Sequence, residues 1–310
     1  MSKYLDPKAD LTFKKVFGEH PNLVLSLLNA LLPLPKGMEI KTVEYLSPEN
    51  VPENPGKKYS IVDVLCVDNY NRHFIVEMQS IWNTEFFQRT LFNAASMYTK
   101  QLNKGKAFGE LNDVYALCLV NDEAAFPEYG TEYIQEYYLS NKNHTDDRHT
   151  DLSMVFIVLP NFKPQNRAEK TMHDLWLKFL TEIDEKTDDA DPELLTNKDT
   201  SEALEIVRRS AFTDSELLAY NLYWLNVSTE KSSLERERME GRAEGLAEGR
   251  EEGEKIGIEK GRAEGLAESR KETAIAILKE GMPVDLAAKI SKLSIEEVEK
   301  LKATLLTTPN

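Results

Sequence analysis

The sequence predicts an α/β fold, a mixed sheet flanked by helices with an α-helical C-terminal extension, on three observations. Strand-like runs over 59–79 are followed by an amphipathic run over 84–102 and an unbroken apolar run over 114–120, the order strand, hairpin, helix, strand. Beyond residue 165 apolar residues recur at helical spacing. Between 235 and 270 glycine returns every fourth residue among Ala, Glu, Arg and Lys, an internal repeat of mostly helix-favouring residues. The chain divides accordingly into a core over 1–165, a helical extension over 166–232, the Gly-x-x-x-Gly repeat over 233–270 as helix or linker, and a small helical module over 271–310.

A chain of 310 residues with 41% hydrophobic content can bury a substantial core. No stretch approaches about 18 apolar residues and the N-terminus lacks an apolar run, so the expectation is a cytoplasmic protein without a signal peptide or membrane span. Cys66 and Cys118 lie in apolar runs and read as reduced core residues, with a disulfide the lesser alternative.

Residues 10–32 read as helix, interrupted at Pro21 and ended by Pro33. Asp10 stands where an N-cap would, so it is either a cap or an acidic group available to a site. Pro48, Pro52, Pro55 and Gly56 mark a loop leading into 59–79, where two runs rich in Val, Ile and Phe flank a polar cluster at 68–72. That pattern is a hairpin. Centred on Tyr70, it opposes Val67 to His73, Leu65 to Ile75, Asp63 to Glu77 and Ile61 to Gln79. Side chains alternate, so Asp63, Glu77 and Gln79 share one face, while Val62, Val64, Cys66, Phe74, Val76 and Met78 share the other.

Two carboxylates opposed on one sheet face repel, and among apolar neighbours an unpaired charge is costly. A hard divalent cation such as Mg²⁺, or Mn²⁺ or Ca²⁺ in its place, answers that need with one or two carboxylates plus water and phosphate oxygens. Asp63 and Glu77 are the candidate ligands, with the Met78 carbonyl as a third. Gln79 lies about 7 Å further along the strand, placed to hold a water or a phosphate oxygen, and cannot ionise to act as a general base. The plainer alternative is a strand with a solvated acidic face.

Residues 84–102 form an amphipathic helix with Phe87, Leu91, Ala94, Ala95, Tyr98 and Leu102 on its stripe, Arg89 and Gln101 off it, and Gly105 at its end. The apolar run 114–120 is a buried strand. Two further strands, 131–140 and 152–159, are separated by a polar loop over 141–151 whose His and Asp residues lack zinc-like spacing. Helices follow over 172–180 and 201–209, and another opens at the capping box Thr213-x-x-Glu216.

In the repeat, seven glycines from Gly241 to Gly265 weaken an isolated helix by roughly 7 kcal/mol in all. The stretch is thus either an extended helix whose glycine ridge admits a second copy, which is favoured, or a charge-rich linker. After a helix from Thr273 to the stop at Gly281, two short helices resemble a helix-turn-helix, but the last begins with Glu296 and Glu297, which repel phosphate.

Asp10-x-x-Phe13-Lys14, Ile61-Val62-Asp63-Val64, Glu77-Met78-Gln79, Arg89, Tyr98 and Gly105 together resemble the Rpn-type recombination-promoting nucleases, also called PD-(D/E)XK family transposases. The resemblance covers residues 4 to about 160 well and the remainder loosely. It departs from most of the PD-(D/E)XK superfamily in having Gln79 where Lys is usual. It implies a restriction-endonuclease-like core and a metal-dependent DNA endonuclease that promotes recombination and is associated with mobile elements. It further implies that Arg89 faces a DNA phosphate and that Asp10 stands near the metal.

The net charge of −15 is unevenly placed. Residues 1–120 hold 13 basic and 13 acidic side chains and are neutral, while the remainder, with 25 and 40, carries all of it. Lys14, with Lys15, Lys57, Lys58, Arg89, Lys100, Lys104 and Lys106, is a candidate for phosphate contact, and the acidic remainder predicts weak, salt-sensitive DNA affinity. The alternative function is a catalytically silent DNA- or protein-binding scaffold assembling through its C-terminal helix.

Overall fold

The structure is a computed structural model, and it describes residues 3–50, 60–102, 105, 107–163 and 171–307. The expected loop residues Pro52, Pro55 and Gly56, the candidate phosphate contacts Lys57, Lys58, Lys104 and Lys106, and the expected boundary at 165 lie outside the described residues. The chain forms two compact units, 1–231 and 232–310.

In the first unit, helix α1 (Asp10–Phe13) runs into a π-helical turn (Lys14–Gly18), and α2 (Pro21–Leu31) follows. The cap of α1 is Ala9, with no side-chain bond, and Asp10 is the first helical residue. The cap reading of Asp10 is therefore corrected, because its carboxylate is drawn one turn onward to Lys14, with Nζ–Oδ1 2.6 Å. Strands β1 (Val43–Tyr45), β2 (Glu49–Asn50), β3 (Ser60–Ile61), β4 (Val64–Asp68) and β5 (His73–Gln79) precede α3 (Thr84–Lys100), β6 (Val114–Val120), β7 (Ile134–Asn141) and β8 (His144–Val158). Helices α4 (Met172–Glu182), α5 (Pro192–Thr196), α6 (Lys198–Ile206) and the long α7 (Asp214–Lys279) come next.

The main sheet has the order β1-β4-β5-β6-β8-β7, with β5, β6 and β8 parallel and the other neighbours antiparallel. The hairpin register is the expected one, with Val67 opposite His73 and Leu65 opposite Ile75. Asp68 locks its turn. Oδ1 accepts from the Tyr70 and Arg72 amides, Oδ2 accepts from Arg72 Nε at 2.8 Å, and Asn71 takes a left-handed φ of 59°. The ladder ends at Val64 rather than continuing to Ile61, since the chain bends at Asp63 and β3 pairs separately with β2. Beyond that bend the alternation slips. Val62, expected beside Val64 and Cys66, packs instead in the cluster of Leu65 and Ile75.

The sheet divides two cores. Val64, Cys66, Phe74, Val76 and Met78 pack with α2, α4 and α6, so residues 172–206 complete the same core as the strands. Leu65, Ile75, Ala116 and Cys118 pack beneath α3. Cys66 and Cys118 are free and buried in different cores. The buried positions of α3 are Phe86, Thr90, Asn93 and Ala94, one step round from the expected stripe, and Leu91 is 41% exposed. Thr90 and Asn93 explain the rotation: both are polar but bonded beneath the helix, Thr90 Oγ1 to the Phe86 carbonyl and Asn93 at the site below. The expected loop 141–151 is also corrected, because residues from His144 on form the exposed first half of β8, paired irregularly with β7.

In the second unit the repeat is helical, lying within α7, and α8 (Val284–Ser291) and α9 (Ile295–Thr307) close on Ala274 around Ala287, Ala288 and Val298. Gly281, at φ 77°, ends α7, with its amide on the Leu278 carbonyl and the Met282 amide on the Ile277 carbonyl. The Ser294–Glu297 pair forms a capping box at the start of α9.

Candidate active site

Where β4 bends away, the Met78 amide loses its ladder partner and donates instead to Asp63 Oδ2 at 2.8 Å. The other Asp63 oxygen faces Lys14 Nζ at 3.6 Å, an ammonium already held by Asp10. The π-helical turn places Lys14 between the two carboxylates. Burial pulls the Lys14 pKa down, but the Asp10 hydrogen bond and the two negative charges outweigh it and raise it.

Glu77 and Gln79 point from β5 towards α3, and two helix side chains answer them. Arg89 Nη2 donates to Gln79 Oε1 at 2.8 Å, and Asn93 Nδ2 reaches Glu77 Oε1 at 3.5 Å. The match is geometric: two strand residues span about 6.6 Å, and four helix residues rise about 6.0 Å. Ser60 Oγ donates to Asn93 Oδ1 at 2.6 Å, which turns the amide NH₂ to Glu77. Gln79 Nε2 donates to the Ile81 carbonyl at 2.6 Å. Both ends of that amide are thus engaged, and its part in this structure is to hold Arg89, whose guanidinium also sits 5.0 Å from the Phe86 ring centre.

Glu77 is only 6% exposed, and among the described residues no cation comes within ion-pairing distance of it. Burial, and then the Asp63 charge, push its pKa up to about 8. Burial likewise raises Asp63 against the pull of the Met78 amide and Lys14. Two close carboxylates, one bonded only by a long amide contact, are a donor set short of positive charge. That deficit fits a hard cation. Asp63, Glu77 and the Met78 carbonyl are the groups that could hold one, with water or phosphate oxygens completing the shell. Among the described residues no three His, Cys, Asp or Glu side chains gather as a metal site. Asp10 stands one partner removed, on Lys14.

A cavity of about 920 Å³ opens between β3, β5 and α3, lined by Asp63, Glu77, Met78, Gln79 and Arg89. A family model described as PD-(D/E)XK nuclease family transposase matches residues 7–237. The chain belongs to this family. No curated protein and no solved structure matches. The mixed sheet with flanking helices is the PD-(D/E)XK nuclease fold, and the match extends into α7.

Two residues at this PD-(D/E)XK site escape a reading of the sequence. Asn93 has the form of a surface amide, and only its position four after Arg89 signals it. Tyr223, in the third turn of α7, brings its hydroxyl to 2.8 Å from Ser80 Oγ and 3.5 Å from the Lys8 carbonyl. Burial raises its pKa, and the Asp10 and Asp63 charges add to the rise. No signal in the sequence joins Tyr223 to a strand more than a hundred residues earlier.

Proposed function

We propose that this protein is a divalent-metal-dependent DNA endonuclease, hydrolysing phosphodiester bonds in the recombination of mobile elements. The observation that carries the reading is the pair of buried, charge-deficient carboxylates, Asp63 and Glu77, in one cavity with Arg89. Bound there, Mg²⁺ or another divalent cation supplies positive charge against the scissile phosphate and activates water for attack. Asp63 and Glu77 would hold the ion with the Met78 carbonyl, and the Met78 amide keeps the Asp63 carboxylate in place. Asn93 orients Glu77. Gln79 steadies Arg89, whose planar fork suits a phosphate oxygen pair. Lys14 adds a second cation to the same side, and Asp10 sets where that ammonium rests. The exposed glycine repeat of α7, where an added Cβ at Gly241 through Gly265 meets nothing, is the surface assigned to self-association.

Cleavage of supercoiled plasmid tests the reading. Mg²⁺- or Mn²⁺-dependent nicking is expected, abolished by EDTA and by Asp63→Ala and lowered by Gln79→Ala. No cleavage with any metal, or cleavage kept by Asp63→Ala, would move the function to a silent scaffold.

A further inference from the structure

We propose that the cavity takes an unpaired nucleobase beside the scissile phosphate, so that the preferred substrate is single-stranded or unpaired DNA; this rests on the endonuclease reading above. Two large apolar side chains line the same cavity as the carboxylates and yet stay open to solvent, Ile61 at 53% and Phe92 at 44%. Neither belongs to the cores on the two faces of the sheet. They come from β3 and α3, and the 2.6 Å bond from Ser60 to Asn93 ties those elements together one residue away from each. The apolar pair is therefore held beside the site by the same bond that orients the amide facing Glu77.

Spacing on α3 assigns the pair its ligand. Phe92 follows Arg89 by three positions, which puts the two on one helix face with Cβ atoms about 5–6 Å apart. A phosphate held at Arg89 thus carries its own nucleotide's base to the Phe92 ring, with Ile61 across the cavity wall. Within a duplex both faces of an internal base are covered by its stacked neighbours. A side-chain ring reaches a base face only in a single strand, flap, loop or frayed end, where stacking on an aromatic tolerates any base. The volume agrees: about 920 Å³ far exceeds the roughly 30 Å³ share of one water. The Gln88 side-chain amide and the Asn83 Nδ2, lining the same space, face a base edge, the Asn83 oxygen being held by the Phe86 amide as the cap of α3.

The test uses the full chain in Mn²⁺ on one labelled oligonucleotide, single-stranded and annealed to its complement. The single strand is expected to be cut faster. Phe92→Ala should lower its rate on the order of tenfold, the size of one base–aromatic stack, and so shrink the ratio of single-strand to duplex rates. Phe92→Trp should preserve that ratio. Equal rates on both substrates, or a Phe92→Ala loss equal for both, would overturn the proposal and leave the endonuclease standing. If neither substrate is cut, the endonuclease reading fails instead, and fluorescence anisotropy of a short oligothymidylate decides the subsite. Weaker binding by Phe92→Ala supports it, and unchanged binding overturns it.

Discussion

Glu77 carries the clearest chemistry at the scale of single residues, because its environment works against its own charge. Its pKa rises from an ordinary 4.5 to about 8, through burial first and the Asp63 charge second. Between those values the folded metal-free protein holds a proton that the unfolded chain has lost. Stability from this group is thus complete below about pH 4.5 and is lost as pH climbs towards 8. Thermal unfolding of metal-free protein should show that decline, and Glu77→Gln should flatten it and be the more stable form at pH 8. Mn²⁺ should reverse the ordering at pH 8, raising the melting temperature of the wild type and not of Glu77→Gln. A variant no more stable than wild type at pH 8 without metal would remove the charge deficit on which the site rests. At this scale the placing of Glu77 and Gln79 on one face of β5 was legible from strand alternation, whereas Asp63 sits at the bend beyond the ladder, where alternation no longer holds. Asn93 was not legible, because an amide on a helix looks the same whether it meets water or a buried carboxylate.

Elements meet at the site through a few long-range bonds. Helix α7 reaches the end of β5 through Tyr223 and Ser80, the residue after Gln79, and reaches the π-helical turn after α1 through Lys15 and Glu216 at 2.7 Å. The first turns of α7 thereby brace the two segments that carry Lys14 and Gln79. Tyr223→Phe, which keeps the ring and deletes the hydroxyl's bond to Ser80 with its long contact to the Lys8 carbonyl, should lower the cleavage rate about fivefold, the equivalent of roughly 1 kcal/mol. Ser80→Ala should do the same, and the double variant should lose no more than either alone. Additive losses would show that the two hydroxyls act apart. The hairpin makes a separate prediction. Arg72 is buried against Asp68, so Arg72→Met should destabilise the fold by roughly 3–5 kcal/mol in urea unfolding, by stranding the carboxylate. The hairpin was legible because its turn chemistry is local. The bend at Asp63 was not, for Val62 reads as one more strand residue, and only pairing of β3 with β2 draws the chain aside.

For the whole molecule, charge and the glycine repeat set the expectations. The neutral first 120 residues hold the site, and the acidity lies in the rest, so DNA cleavage should fall as salt rises. The repeat predicts self-association, which light scattering on the full chain would read as a mass above that of one copy. Gly249→Ala with Gly253→Ala meets no atom within the chain, and each favours helix by about 1 kcal/mol. The pair should therefore raise helical content while shifting the mass towards the monomer, because added methyls keep a second helix at a distance. An unchanged mass would leave the glycines without that role.

The sequence by itself determined the strand alternation within the hairpin, its register, the capping boxes at Thr213 and Ser294 and the family to which the chain belongs, and left the repeat open between helix and linker. All of these rest on residues near one another in the chain or on their order along it. Tertiary structure alone decided that Gln79 holds Arg89, that Lys14 bridges Asp10 and Asp63, and that Tyr223 stands beside Ser80. It decided these because a side chain's partner depends on which elements pack together, and packing joins residues that local periodicity cannot relate.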